Sequence, residues 1–247
     1  MTHGKKFLMT KIVGNGLLGR SFLGHALPNV LYFCSGVANS QEVRESAFKR
    51  ERQLLLSIFE ETKGSDTFIY FSSVLAPTRS NNYYKHKMEM EQLVRVSFPD
   101  SYLIVRLPQV VGLVDNSTLF SDFIKRLALG LEVTIYKNAS RSLIDIDDVV
   151  RVSNDLVSYG VKKTVIEVCS TESLNVLEMV EIMDRELGRV SEKIYVEGGS
   201  VQNCSPTMLR EILKEKDALF MPGYTKAVIE KYTLKLRDIF ITKPNNL

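Results

Sequence analysis

The 247-residue sequence predicts an α/β protein: a doubly wound parallel sheet, shortened near its start, with a small C-terminal helical lobe. Two observations carry that reading. Short apolar runs of strand length alternate with segments of helical periodicity, the pattern of parallel strands joined by crossover helices. A glycine-rich turn follows the first run at once, and the second run then arrives only a few residues later.

In chain order, KFLMTKIV, NVLYFC, DTFIYFSS, SYLIVRLP and TVIEVCS read as buried strands. Between them, QEVRESAFKRERQLLLSIFEETKG and YYKHKMEMEQLVRVSF read as helices, with KRERQ, from Lys49, as a solvated helix face. The tail is less regular. SLNVLEMVEIMDRELG and SPTMLREILKEKDALF look helical, the second with Ser205 as cap and Pro206 at its first position. These segments and Leu113 to Glu132 form the helical lobe, about 113–135 and 171–247, whose expected task is substrate recognition. No repeat or low-complexity linker divides the chain, so a single Rossmann-type domain carrying that lobe is expected.

Composition is that of an ordinary globular protein, 45% hydrophobic and 25% charged. The 32 basic and 29 acidic residues are interspersed, which argues against a nucleic-acid partner. Cys34, Cys169 and Cys204 are odd in number and far apart in sequence, so reduced thiols are expected rather than disulfides. His3, His25 and His86 are scattered, and no metal site is expected. With no signal-peptide run and no bilayer-length apolar stretch, the expectation is a cytoplasmic protein without a membrane partner.

The turn GNGLLGR sets Gly14, Gly16 and Gly19 in the GxGxxG pattern between a strand and a helix. Glycines there allow a tight turn, close approach of a pyrophosphate and close helix-strand packing. Gly14, Asn15, Gly16, Leu17, Leu18, Gly19 and Arg20 are therefore candidate cofactor ligands. An acidic residue about 20 positions on normally holds the adenosine ribose. Here LPNVLYFCSG fills that place, and no Asp or Glu occurs from Gly14 through Asn39. Arg20 either meets a 2′-phosphate, which leans the choice between NAD and NADP towards NADP, or is a solvated first-turn residue.

The strand DTFIYFSSV ends in Ser72 and Ser73, and NNYYKHKMEMEQL follows. Tyr83 and Lys87 lie one helical turn apart on one face. A lysine ammonium beside a phenol stabilises phenolate, lowering a tyrosine pKa towards the range useful at a carbonyl. A serine hydroxyl at the end of the neighbouring strand can bond the same substrate oxygen.

The stretches GNGLLGR, VLYFCSGVANS, FIYFSSV, YYKHKMEMEQL, VRLPQVVG and RSLIDIDDVVRV, in this order, resemble the extended short-chain dehydrogenase/reductase family, the NAD-dependent epimerase/dehydratase group acting on nucleotide sugars. The resemblance covers roughly residues 7 to 170. It implies that Tyr83 is the catalytic acid/base, that Lys87 lowers its pKa and binds the nicotinamide ribose, and that Ser73, or else Ser72, orients the substrate carbonyl. It also implies that Ser35, Gly36 and Pro108 line the cofactor, with Asp147 and Asp148 capping a helix behind the site. Two departures stand out: Val13 where the family commonly has glycine, and apparent deletion of the second and third strands.

The short interval from Ser73 to Tyr83 looks most like the reductases of bacterial capsule and O-antigen deoxysugar synthesis, which reduce a 4-keto nucleotide sugar with NADPH. Polysaccharide biosynthesis is the implied setting. VLAPTRSNN lacks the acid pair a dehydratase uses after the serine strand. The resemblance thus implies 4-keto reduction or epimerisation, with Arg141, Lys193 and Arg210 as diphosphate candidates. Related enzymes dimerise through a bundle of these two helices, so the resemblance also implies a homodimer, paired through their apolar positions across a two-fold axis. The alternative is a non-catalytic nucleotide or sugar-nucleotide binder that has lost tight cofactor binding.

Overall fold

The computed structural model describes residues 11–61, 67–114, 118–214 and 217–242, so the start of KFLMTKIV, His3 and the KEK segment fall partly or wholly outside the described residues. The chain divides into two compact units. One comprises Met1–Arg106 with Val150–Ile166, the other Leu107–Val149 with Glu167–Leu247.

In chain order the elements are β1 (Lys11–Val13), α1 (Leu17–Phe22), β2 (Val30–Phe33), α2 (Glu45–Glu61), β3 (Thr67–Ser73), α3 (Asn82–Ser97) and β4 (Tyr102–Leu107). There follow β5 (Gln109–Val111), α4 (Leu119–Ala128), β6 (Val133–Tyr136), β7 (Ser140–Arg141), β8 (Leu143–Asp145) and α5 (Ile146–Ser158). The rest are β9 (Thr164–Glu167), β10 (Leu174–Asn175), α6 (Val176–Glu186), β11 (Lys193–Val196), α7 (Thr207–Leu213), a 3-10 turn at Ala218–Phe220 and α8 (Tyr224–Thr242).

The first unit is built on a parallel five-stranded sheet in the order β1-β2-β3-β4-β9. All four residues of β2 are buried, and β2 pairs in register with β1 on one side and β3 on the other. Such an interior strand must be apolar on both faces, which is why VLYF reads as a continuous run. The alternation of the pleat divides the aromatic residues between two layers. Leu31, Phe33, Phe68 and Tyr70 join Leu55 and Ile58 of α2 and Met90 and Val94 of α3 in one core. On the other face Tyr32 packs on Phe22 of α1, ring centroids 4.3 Å apart, and donates its hydroxyl to Asn154 of α5 at 2.7 Å. Helices thus cover both faces, as the sequence predicts. The strand order of a full dinucleotide-binding sheet reverses next to its first strand; here it runs one way, and among the described residues β1 is an edge strand, with β9 at the opposite edge.

In the second unit, α4, α6 and α8 pack around the short pairs β5 with β8, β6 with β11 and β7 with β10. Asn175 caps α6 in a reciprocal capping box with Glu178. The helix expected from Ser205 starts later and stops earlier. Thr207 opens α7, Pro206 occupies the cap position without a side-chain bond, and Lys214 leaves the helix at φ 68°. Ser205 instead uses its N–H on Glu167, at 2.8 Å.

The long C-terminal helix α8 goes beyond the segments picked out in the sequence. It is clamped to the β8-α5 corner: Asp145 accepts from Tyr232 Oη at 2.6 Å and from Lys231, and Asp148 accepts from Tyr224 Oη at 2.7 Å. The cap of α5 is Asp145, which accepts the Asp147 N–H at 3.0 Å. Asp147 and Asp148 occupy its first turn.

Candidate functional site

The carboxyl ends of β1, β2 and β3 lie on one edge of the sheet because these strands are parallel. The glycine turn leaves β1 with Gly14 at φ 113°, in the left-handed region that favours glycine. A Cβ on Gly14 would lie 2.8 Å from the Cys34 carbonyl carbon, and one on Gly19 would lie 2.1 Å from the Gly14 carbonyl oxygen. Two of the three glycines therefore serve close packing within the protein. Gly16 differs: a Cβ there would meet nothing within 4 Å, which leaves its main chain open to a ligand. Asn15 and Arg20 are exposed, and Leu17 and Leu18 are half-buried.

Contacts run on from this turn towards Tyr83. Gly14 lies against Cys34 and Ser35, the start of the loop after β2. The next residue, Gly36, lies against Lys87: a Cβ there would sit 2.7 Å from Lys87 Nζ. Lys87 Nζ is in turn 5.8 Å from the centroid of the Tyr83 ring. Tyr83, His86, Lys87, Met90, Glu91 and Val94 are all buried residues of α3, placed along one face by their spacing of three and four. Asn81 starts this helix by accepting the Tyr84 N–H at 3.0 Å.

The sequence reading missed the partner of Lys87. Glu51, inside the KRERQ segment expected to be a solvated face, is 0% exposed. It lies four and seven residues before Leu55 and Ile58, hence on the stripe that α2 turns to the core, and that spacing was the available signal. Its carboxylate accepts from Lys87 Nζ at 3.1 Å, Tyr70 Oη at 2.8 Å, His86 Nε2 at 3.0 Å and the Val37 N–H at 2.7 Å. Burial pushes the Glu51 carboxyl up, but the Lys87 ammonium and these donors outweigh it and hold it at about 2. Burial also opposes the charge on Lys87, and Glu51 reverses the effect, so its pKa is raised.

Tyr83 is 9% exposed, and its pKa is raised as well. Burial is the main cause; Lys87 opposes it, and Glu51 and Tyr84 add to it. The expected lowering is present as the Lys87 contribution, but burial exceeds it, so the phenol is protonated at neutral pH. Ser73, half-buried at the end of β3, accepts the Leu75 N–H at 3.2 Å, while Ser72 is buried with no hydrogen-bond partner for its Oγ. Pro108 is buried and belongs to the second unit.

Within the second unit a cavity of about 170 Å³ is lined by Phe123, Arg126, Thr134, Tyr136, Arg141 and Val176 among others. Tyr136 is 48% exposed. Arg126 pairs with Asp122 at 2.9 Å, and Arg141 donates to the Ser140 and Ser200 carbonyls at 2.7 Å each. Lys193 is committed elsewhere, to Asp184 at 2.7 Å, with both side chains nearly buried. Arg210 lies 6.0 Å from the Phe220 ring and is not among the residues that line this cavity. Cys169 and Cys204, distant in sequence, are hydrogen-bonded thiols; that bond raises the pKa of Cys169 and lowers that of Cys204. All three cysteines are free.

Residues 19–169 match the family model described as NAD dependent epimerase/dehydratase family. The chain belongs to the NAD-dependent epimerase/dehydratase family. The match opens at Gly19, so Gly14 and Gly16 precede it, and it includes Ser73, Tyr83 and Lys87. Among solved structures, the chain is similar to a mutant UDP-glucuronic acid 4-epimerase from Bacillus cereus in complex with UDP-4-deoxy-4-fluoro-glucuronic acid and NAD. Identity is 16%, coverage 93% of this chain and 80% of that one, and the TM-score 0.72. It is also similar to RMD from Pseudomonas aeruginosa complexed with NADPH, with 18% identity, 86% and 82% coverage and a TM-score of 0.69. For UDP-glucose 4-epimerase from Thermotoga maritima, with UDP-glucose, the values are 16%, 93%, 83% and 0.70. These likenesses establish a Rossmann-like fold. No curated protein sequence matches the chain. Among the described residues, no helix is long and apolar enough to cross a membrane.

Proposed function

We propose that the protein is an NAD(P)-dependent oxidoreductase acting on a nucleotide-linked sugar, by 4-keto reduction or by epimerisation. The observation that carries this reading is the buried, protonated Tyr83 one helical turn from a Lys87 ammonium that lies against the loop after β2. A phenol so placed suits proton delivery to a carbonyl oxygen as that oxygen gains charge.

The residues fit a nicotinamide cofactor over part of its length. Gly16 offers open main chain for the pyrophosphate, and Gly36 and Lys87 offer a loop and an ammonium for the nicotinamide ribose, with the exposed Asn15 and the half-buried Ser35 as further ligands. The adenosine ribose finds no carboxylate on β2, whose four residues are VLYF. When bound, the cofactor supplies or accepts the hydride. Tyr83 gives its proton to the C4 oxygen in reduction and takes it back in the reverse sense. Lys87 holds positive charge beside the developing phenolate, and Ser73 bonds the same oxygen.

We assign the substrate's nucleotide to the cavity of the second unit, with the base against Tyr136 and the diphosphate near Arg126 and Arg141. The cavity draws Phe123, Arg126, Thr134 and Val176 from the proposed substrate-binding lobe, 113–135 and 171–247, and Tyr136 and Arg141 from just beyond its first segment. The loop Val74 to Asn81 has no Asp or Glu, which disfavours a dehydratase. We further propose a cytoplasmic homodimer serving polysaccharide biosynthesis.

The edge position of β1 favours a second reading, a sugar-nucleotide binder without tight cofactor binding. Titration of the purified protein with NADH and NADPH, followed by fluorescence and calorimetry, separates the two. Micromolar binding of either supports the oxidoreductase. No binding up to millimolar concentration refutes it and leaves the binder.

A further inference from the structure

A carboxylate removed from water persists only where donors replace its hydration. Glu51 has four, and they come from three separate parts of the first unit: the loop after β2 through Val37, β3 through Tyr70, and α3 through His86 and Lys87. The position of Lys87 is fixed from both sides. Glu51 Oε1 and Tyr70 Oη take two of its three protons, at 3.1 and 3.2 Å, while the Gly36 main chain leaves no room for even a methyl group.

We propose that Glu51 is a positioning residue that ties the Lys87 ammonium and the loop after β2 into one rigid arrangement beside Tyr83, and offsets the ammonium charge where the phenol feels it. The proposal rests on the reading of Tyr83 as the proton-transfer residue. Lys87 draws Tyr83 towards phenolate, the form that abstracts a proton; Glu51 offsets that pull and so adds to the burial that keeps the phenol, the form that donates one. The site is thereby biased towards carbonyl reduction. The groups that face this centre are few. Tyr83 feels Lys87, Glu51, Tyr84 and Tyr70; Lys87 feels Glu51, Tyr83, Tyr70 and, less strongly, Glu91. Glu91 is itself paired with Arg106 at 2.7 Å and Arg95 at 3.3 Å. Glu51 is faced by Lys87, His86 and Tyr70.

The test is a pH titration of Tyr83 in the protein without cofactor, read as tyrosinate absorbance and isolated by subtracting the same titration of Tyr83→Phe. In Glu51→Gln, which keeps the shape and removes the charge, the Tyr83 midpoint should fall by about one pH unit, a roughly tenfold gain in acidity. An unchanged or higher midpoint overturns the proposal. If Glu51→Gln does not fold, Glu51→Asp, which keeps the charge but draws it back from Lys87, takes its place: a lower Tyr83 midpoint is expected, and an unchanged or higher one overturns the proposal. NADH titration of the wild type is run alongside. Failure to bind removes the oxidoreductase reading, while the phenol titration still judges whether Glu51 governs Tyr83.

Discussion

Acid should unfold this protein in part through one residue. In the folded chain the Glu51 carboxyl titrates at about 2 instead of 4.5, because Lys87, His86, Tyr70 and the Val37 N–H together outweigh the cost of burial. A folded pKa below the unfolded one means that the stabilisation is complete above about pH 4.5 and is lost as pH falls through about 2. The gap of some two and a half units corresponds to about 3 kcal/mol, a sizeable part of the roughly 5–15 kcal/mol that stabilises a typical domain. Urea unfolding followed by far-ultraviolet circular dichroism, repeated from neutral to strongly acidic pH, measures it. Other carboxylates also titrate in that range, so the informative quantity is the stability difference between wild type and Glu51→Gln. At neutral pH the variant leaves Lys87 buried without its counter-charge and should be about 3–5 kcal/mol less stable. That difference should shrink by about 3 kcal/mol in acid, where wild-type Glu51 becomes neutral too. A difference independent of pH would refute the reasoning, since Glu51 would then stabilise by shape rather than by charge.

Tyr83→Phe should lower turnover of a 4-keto sugar nucleotide by about 10²–10⁴-fold while NADH or NADPH affinity changes little, checked by steady-state kinetics and calorimetry. Gly19→Ala drives a Cβ to 2.1 Å from a main-chain oxygen that cannot rotate away, so the turn must open. A loss of about 1–3 kcal/mol in urea unfolding is expected, together with weaker cofactor binding. Asp145→Ala removes the cap of α5 and the acceptor for Lys231 and Tyr232. Hydrogen exchange should speed up along α8 specifically. Iodoacetamide should label Cys204, half-exposed and with a lowered pKa, before the fully buried Cys169, as peptide mass spectrometry would show.

The strands of the first unit and its two central helices were legible because burial on both faces writes continuous apolar runs, and helices facing a core write a period near four. The spacing of Tyr83 and Lys87 put them on one helix face, but any lysine-rich helix offers such a pair, and only the serine-ended strand before them and the family resemblance singled them out as candidates. Glu51 was not legible, because a charged residue among KRERQ looks solvated until its register with Leu55 and Ile58 is followed. The second unit was harder to read. Its strands are two to four residues long, too short to show alternation, and α7 is cut at Lys214 although the helical pattern continues in the sequence. The thiol pair of Cys169 and Cys204 and the clamp of Asp145 on α8 join residues far apart in sequence, which no local pattern encodes. The shortened sheet was visible as an early second strand, but the edge position of β1 required the strand order.

That strand order also bears on how the chain is made. From β1 to β4 each strand lies beside the one synthesised just before it, so each pairing closes a loop of modest length and the sheet can grow outward as the chain emerges. The last strand, β9, is synthesised only after the chain has passed through residues 107–163. Until then the flank of β4, with its apolar LIVRL run, is an unpaired edge of the kind that recruits other chains. Truncations ending before Thr164 should therefore aggregate during expression, and slowing translation just beyond β4 should lower the soluble yield of the intact chain.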